Sequence, residues 1–169
     1  MNRSHEVNRG PLVTAATLLG MGLGGFFDGI LFHQILQLHS MLSAILPRTS
    51  LLNAEVNMFW DGIFHAFTWL ATVAGLGMLW RAMGNRQVPH STRTLLGGSL
   101  LGWGLFNVVE GVIDHTLLGI HHVVENGSHA LWDSAFLAWG MLMIAGGTFL
   151  LRSDAPHVRP ARSALPVRD

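Results

Sequence analysis

The sequence predicts an all-α, polytopic membrane protein: four transmembrane helices in a bundle, built from two duplicated helical hairpins. Three observations carry that reading. Half of the 169 residues are apolar and only 12% are charged, with a mean hydropathy of +0.40, too apolar and too charge-poor for an ordinary soluble domain. Four stretches have the length of bilayer spans, each of which needs roughly 20 apolar residues. Two parts of the chain also match one another at a fixed offset.

The first span is expected near 12–36, behind Arg3 and Arg9. No small-residue cleavage site follows it, so it reads as a span and not as a signal peptide. The second is expected near 56–80, the third near 95–118 and the fourth near 130–151. Gly20, Gly22, Gly24 and Gly25 in the first, and Gly97, Gly98, Gly102 and Gly104 in the third, point to closely packed helices, because small residues let backbones approach in lipid. Arg3, Arg9, Arg81, Arg86, Arg93, Arg152, Arg159, Arg162 and Arg168 fall on one side and only Arg48 on the other. The excess of arginine marks the cytoplasmic side. The expected organisation is therefore a cytoplasmic tail (1–11), a four-helix transmembrane domain (12–151) and a disordered cytoplasmic tail rich in Pro, Arg and Ser (152–169), in a bacterial inner membrane.

Composition excludes several classes of function. Ten basic residues balance ten acidic ones, so nothing electrostatic favours nucleic acid as a partner. The absence of Cys removes disulfides, thiolate metal sites, iron–sulfur clusters and covalently attached haem. Lys and Tyr are absent as well, which removes Schiff-base and tyrosyl chemistry. Histidine is the residue in excess, with ten copies.

A slide of 82 residues lays the first span on the third: Gly20, Gly22, Gly29, His33 and His39 meet Gly102, Gly104, Gly111, His115 and His121, and Asp28 meets Glu110. A slide of 72 residues lays the second on the fourth, with Trp60, Asp61, Phe64 and Gly75 meeting Trp132, Asp133, Phe136 and Gly147, while His65 meets Leu137. An even number of spans separates the copies, so the repeat is parallel, with its pseudo-twofold axis along the membrane normal.

Each span carries acid: Asp28, Asp61, Glu110 with Asp114, and Asp133. At about 1.5 Å per residue from the cytoplasmic end, Asp28, Asp61, Glu110 and Asp133 come out at one level, roughly 22–29 Å up. Charged residues inside a span cost a few kcal/mol each, which makes them functional by default. No Arg lies at that depth, and the nearby partners are His33, His65, His115 and His129. Carboxylates and imidazoles converging in a helix bundle are a ligand set for divalent ions. The candidate metal residues are therefore Asp28, His33, Asp61, His65, Glu110, Asp114, His115, His129 and Asp133, and the candidate ions are zinc, iron, manganese and copper.

Helical geometry supports part of this set. Asp61 with His65, Glu110 with Asp114, and His129 with Asp133 are four apart and share a face. His33 and His115 lie five residues after their acids, about 140° away on a regular α-helix, unless a π-bulge beside Gly29 and Gly111 brings them round. His39, His121 and His122 fall just outside the core, where a histidine is more often solvated or capping than a ligand. Asn57 and Asn107 are candidates for hydrogen bonds behind the ligands. The competing reading of the acids is structural: protonated carboxyls bonding helix to helix.

The phrases Phe26-Phe27-Asp28-Gly29-Ile30-Leu31-Phe32-His33, Asp61-Gly62-Ile63-Phe64-His65 and Asn107-Val108-Val109-Glu110-Gly111, running on through Asp114-His115 to Gly119-Ile120-His121-His122, resemble a bacterial family of predicted membrane proteins of unknown function. The resemblance covers nearly the whole chain between the tails. It implies a small multispan inner-membrane protein and brings no activity and no residue roles.

The function expected from the residues is a metal-binding membrane protein holding one or two divalent ions near the periplasmic side. A metal-dependent membrane hydrolase and an oxidase are both open as enzymes. The alternatives are a proton or metal-ion pathway, and a b-type haem carrier with His33 and His115 as axial ligands. The expected partners are the lipid bilayer and the metal ion, with a homodimer or a larger membrane complex open.

Overall fold

Pro11, at the first turn where its missing N–H is not needed, opens helix α1 (Gly10–Asp28), and the chain runs on without a break into a π-helical segment, Gly29–Ile35. Ser50 caps α2 (Leu51–Met83) by accepting the Asn53 N–H. Ser91 caps α3 (Thr92–Glu110) in the same way through Thr94, and α3 also runs on into a π-helical segment, Gly111–Leu117. Helix α4 spans His129–Asp154. This computed structural model describes residues 8–154. Residues 1–7 and 155–169, which hold most of both expected tails, lie outside the described residues.

Four helical units of 26, 33, 26 and 26 residues are long and apolar enough to cross a membrane, and no strand occurs among the described residues. Each coincides with one of the four expected spans, the first and third of which run one residue beyond the helical unit. Helices α1 and α3 pack on each other at the centre; α2 packs on α1 and α4 on α3, while α2 and α4 do not meet among the described residues. The four thus stand in the order α2, α1, α3, α4. Phe59, Phe67, Trp69 and Leu70 on α2, and Leu131, Trp139, Leu142 and Phe149 on α4, are exposed because no other helix covers them. Lipid chains would cover these faces in a bilayer.

Close approach of α1 and α3 explains two of the matched glycines. A Cβ at Gly20 would fall on the Ser99 carbonyl, and one at Gly102 on the Thr17 carbonyl. These are the same contact made twice, since Thr17 and Ser99 are also 82 apart.

One end of the assembly is held by Arg9, which donates to Thr94 Oγ1 (3.0 Å) and to the Leu151 carbonyl (2.8 Å). Asp154 there accepts from Ser91 and Thr94. At the other end the two connections, 36–50 and 118–128, lie against each other, with the Ala44 N–H donating to the Ile120 carbonyl (3.1 Å) and Glu125 N–H to that of Leu38 (3.4 Å). Buried Asn57 fastens the first connection, accepting from Leu42 N–H and donating to the Leu46 carbonyl, each at 2.9 Å. The acids and histidines gather beneath these connections.

Candidate metal centre

Asp28 and Glu110 are the last residues of α1 and α3, and both are buried. The next helical turn is wound with one extra residue. Leu36 N–H reaches the Leu31 carbonyl and Leu118 N–H that of Ile113, both at 2.8 Å, which is the i to i−5 bonding of a π-helix. Residues five apart then lie one above the other, and His33 Nε2 stands 3.1 Å from Asp28 Oδ2. His115 follows Glu110 in the same way, and the two belong to one group of close donor atoms. A side chain would be crowded at the start of each π-turn: a Cβ on Gly29 would lie 2.7 Å from His65 Nε2, and one on Gly111 2.8 Å from Leu137 Cδ2.

Beyond the π-turns the chain folds back. Gln37 and Gly119, 82 apart, both take positive φ (52° and 56°), a conformation glycine adopts freely and other residues rarely. Leu38 N–H then bonds the Phe32 carbonyl and Ile120 N–H that of Asp114. This reversal returns His39 and His121 to the interior, where they are 1% and 0% exposed.

Four imidazoles meet there. His39 and His121 stack with centroids 4.7 Å apart and planes at 5°. His33 stands edge-on to His39 at 4.4 Å, and His115 edge-on to His121 at 4.8 Å. Each stacked ring is anchored by the opposite connection: His39 Nδ1–H donates to the Val123 carbonyl (2.9 Å), and His121 Nδ1–H to that of Met41 (3.2 Å). A ring nitrogen facing a carbonyl must be the donor, so in the neutral form of each ring Nε2 carries the lone pair. Burial, reinforced by His39, His115 and His33 nearby, pushes His121 well below the usual histidine range and keeps it neutral.

The atoms turned inward have no hydrogen-bond partner. They are Asp28 Oδ2, both Glu110 oxygens, Nε2 of His33, His39 and His121, and both nitrogens of His115. Three trios of ligand atoms lie within 4.8 Å of one another: His33, His39 and His121; Glu110, His115 and His121; Asp28, His33 and Glu110. His39 Nε2 is 3.9 Å from Asp28 Oδ2, and His121 Nε2 is 3.7 Å from Glu110 Oε1.

Of the residues expected from sequence, Asp28, His33, Glu110 and His115 come together in this cluster. Asp61 and Asp133 stand behind it. Asp61 Oδ1 accepts from His33 Nδ1–H (2.9 Å) and Met41 N–H (2.8 Å). Asp133 Oδ1 accepts from Val123 N–H (3.0 Å) and lies 3.5 Å from His115 Nδ1, while its Oδ2 accepts from His122 (2.7 Å). His65 turns away, its Nδ1–H on the Asp61 carbonyl (2.7 Å) and its ring against Gly29. Asp114 is half-buried and belongs to none of the three trios. His129, at the start of α4, packs edge-on against His122 (4.4 Å), outside the cluster. Asn107 is buried and reaches Met143 Sδ at 4.0 Å. His39 and His121 complete the cluster instead of lying in solvent. The repeat had already paired them, and the left-handed turn at Gly119 was the signal for the reversal that buries them.

Fold and site together define the class: an all-helical membrane protein with a polar, histidine-rich cluster enclosed among its helices. Residues 15–154 match a family described as predicted membrane protein, DUF2243, and the chain belongs to that family of unknown function. Comparison with curated proteins and with solved structures gives no match.

Proposed function

We propose that this protein is a metal-binding integral membrane protein, in which Asp28, His33, His39, Glu110, His115 and His121 hold one or two divalent transition-metal ions. The observation that carries the reading is the convergence of eight buried carboxylate oxygens and ring nitrogens that find no hydrogen-bond partner. Buried polar atoms left unpaired cost free energy, and several at one point cost it several times over. Protons do not relieve the stacked pair well, because protonating both His39 and His121 would stack two cations 4.7 Å apart. A divalent ion would accept lone pairs from a whole trio of these ligand atoms at once. Donors about 2.1 Å from a shared ion lie roughly 3.0–3.4 Å apart, near the 3.1–3.9 Å found for the carboxylate–imidazole pairs. Asp61 behind His33 supplies the carboxylate–histidine support common at metal sites. Oxygen and imidazole without sulfur suit zinc, iron, manganese or copper(II). A bound ion would supply Lewis acidity or redox chemistry, and the chain's own contribution is to fix the imidazole tautomers and exclude water.

The halves read as duplicated hairpins, supported by bonds that recur at matched positions, and the arginine distribution puts the connections 36–50 and 118–128 on the periplasmic side of an inner membrane. A transmembrane ion path finds less support, since α1 before Asp28 and α4 between Asp133 and Arg152 carry no titratable side chain. Haem between His33 and His115 finds less support as well, because the rings of His39 and His121 each approach both of them. Elemental analysis of detergent-purified protein, with an absorption spectrum on the same sample, tests the reading. It predicts one or two transition-metal ions per chain and no haem band. A colourless, folded protein that neither contains nor takes up metal overturns it.

A further inference from the structure

The cluster is near-symmetric, but the ways out of it are not. In the first half the carboxylate behind the histidine is sealed: the Asp61 side chain is 5% exposed, and buried Ser40 and Asn57 flank it. The matched positions in the second half are Asp133, His122 and His129. Two hydrogen-bonding residues have become two imidazoles, and the packing has opened, with the His122 side chain 24% exposed and that of Asp133 13%. The inner contact differs in the same sense. His33 Nδ1–H is closed on Asp61 at 2.9 Å, whereas His115 Nδ1 is 3.5 Å from Asp133 Oδ1 and has no hydrogen-bond partner although its side chain is 1% exposed.

We propose that His122, His129 and Asp133 form a loading port, an outer station that takes a divalent transition-metal ion from the side of the connections and passes it to His115 and His121. The proposal rests on the metal-centre reading. Asp133 is the hinge of the path. One of its oxygens bonds His122 on the outside, and the other faces the unpartnered nitrogen of His115 on the inside. His122 also adjoins His121 in the chain, so the outer ring and an inner ligand share one backbone turn. The ring centroids of His129 and His122 stand 4.4 Å apart, so two imidazoles and a carboxylate adjoin here, donors of the same kinds as the inner cluster but not drawn into a close trio like those inside. Glu125 holds the turn by accepting from Ser43 Oγ (2.6 Å) and His122 N–H (3.2 Å).

The test uses full-length protein, stripped with chelator and returned to Co2+, whose visible absorption follows uptake with time. The double variant His122→Ser/His129→Asn gives the second half the residues of the first. The expected result is unchanged Co2+ per chain at equilibrium, with uptake and chelator-driven release both slower than in the wild type. His129→Gln, a single change at a half-buried helix start, is expected to slow uptake in the same direction and covers the case in which the double variant does not fold. Unchanged rates overturn the port. Equal loss of bound Co2+ at equilibrium overturns it too, since the two histidines would then belong to the inner centre. Wild-type protein that takes up no Co2+ overturns the metal-centre reading itself, and the port falls with it.

Discussion

Residues 10–83 and 92–154 build the same half-site from different surroundings. In both, an acid ends a helix, a π-turn lifts a histidine onto it, and a left-handed residue returns a second histidine to the interior. The bonds recur atom for atom: His39 to Val123 and His121 to Met41, Met41 N–H to Asp61 and Val123 N–H to Asp133. What differs lies one layer out. The first half packs Ser40, Asn57 and His65 where the second has His122, His129 and Leu137. On the proposed reading, the shared layer holds the metal ligands of each half, and the outer layer is where the halves differ, one closed and the other more open.

The largest effects should come from the shared layer. Glu110→Gln or Asp28→Asn removes an ionisable ligand and is expected to bring metal content to background while the protein still inserts, because a neutral side chain is easier to place in a membrane; metal analysis with a membrane-fraction blot checks both parts. Next, Asp61→Asn should weaken metal affinity by about 10–100-fold, the usual effect of losing the group behind a ligating histidine. Asp133→Asn should weaken it less, since its contact with His115 is longer, and competition with a calibrated chelator ranks the two. Gly29→Ala forces a methyl against His65 and should cost about 1–3 kcal/mol of stability, as overpacking does. The double variant Gly29→Ala/His65→Leu would show by its thermal midpoint whether the second half's solution at this contact relieves the first. His65→Leu alone, the smallest change, should leave metal content unaltered.

Much of this was legible in the sequence, and for identifiable reasons. Hydropathy placed all four helices, because crossing a bilayer demands long apolar runs whatever the tertiary packing. Rise per residue put Asp28, Asp61, Glu110 and Asp133 at one level. It could not say that Asp61 and Asp133 turn their oxygens to backbone N–H groups while Asp28 and Glu110 face inward, since that depends on rotation about each helix and on the path of the connections. The five-residue spacing of Asp28 to His33 and of Glu110 to His115 brings acid and histidine together only if a π-turn lies beside Gly29 and Gly111, which the sequence left open, and the structure has one in each half. His39 and His121 escaped because counting along a straight helix carries them out of the membrane; the reversal at Gln37 and Gly119 brings them back. His65 shares a helix face with Asp61 but bonds its backbone carbonyl, a contact that face-sharing alone does not distinguish from ligation.

The most direct test of the central claim compares metal content in wild-type protein, His121→Ala and His65→Ala, purified side by side. The account predicts one or two ions per chain in the wild type, a loss in His121→Ala, and wild-type content in His65→Ala. Metal retained in His121→Ala, or lost equally from His65→Ala, would contradict it.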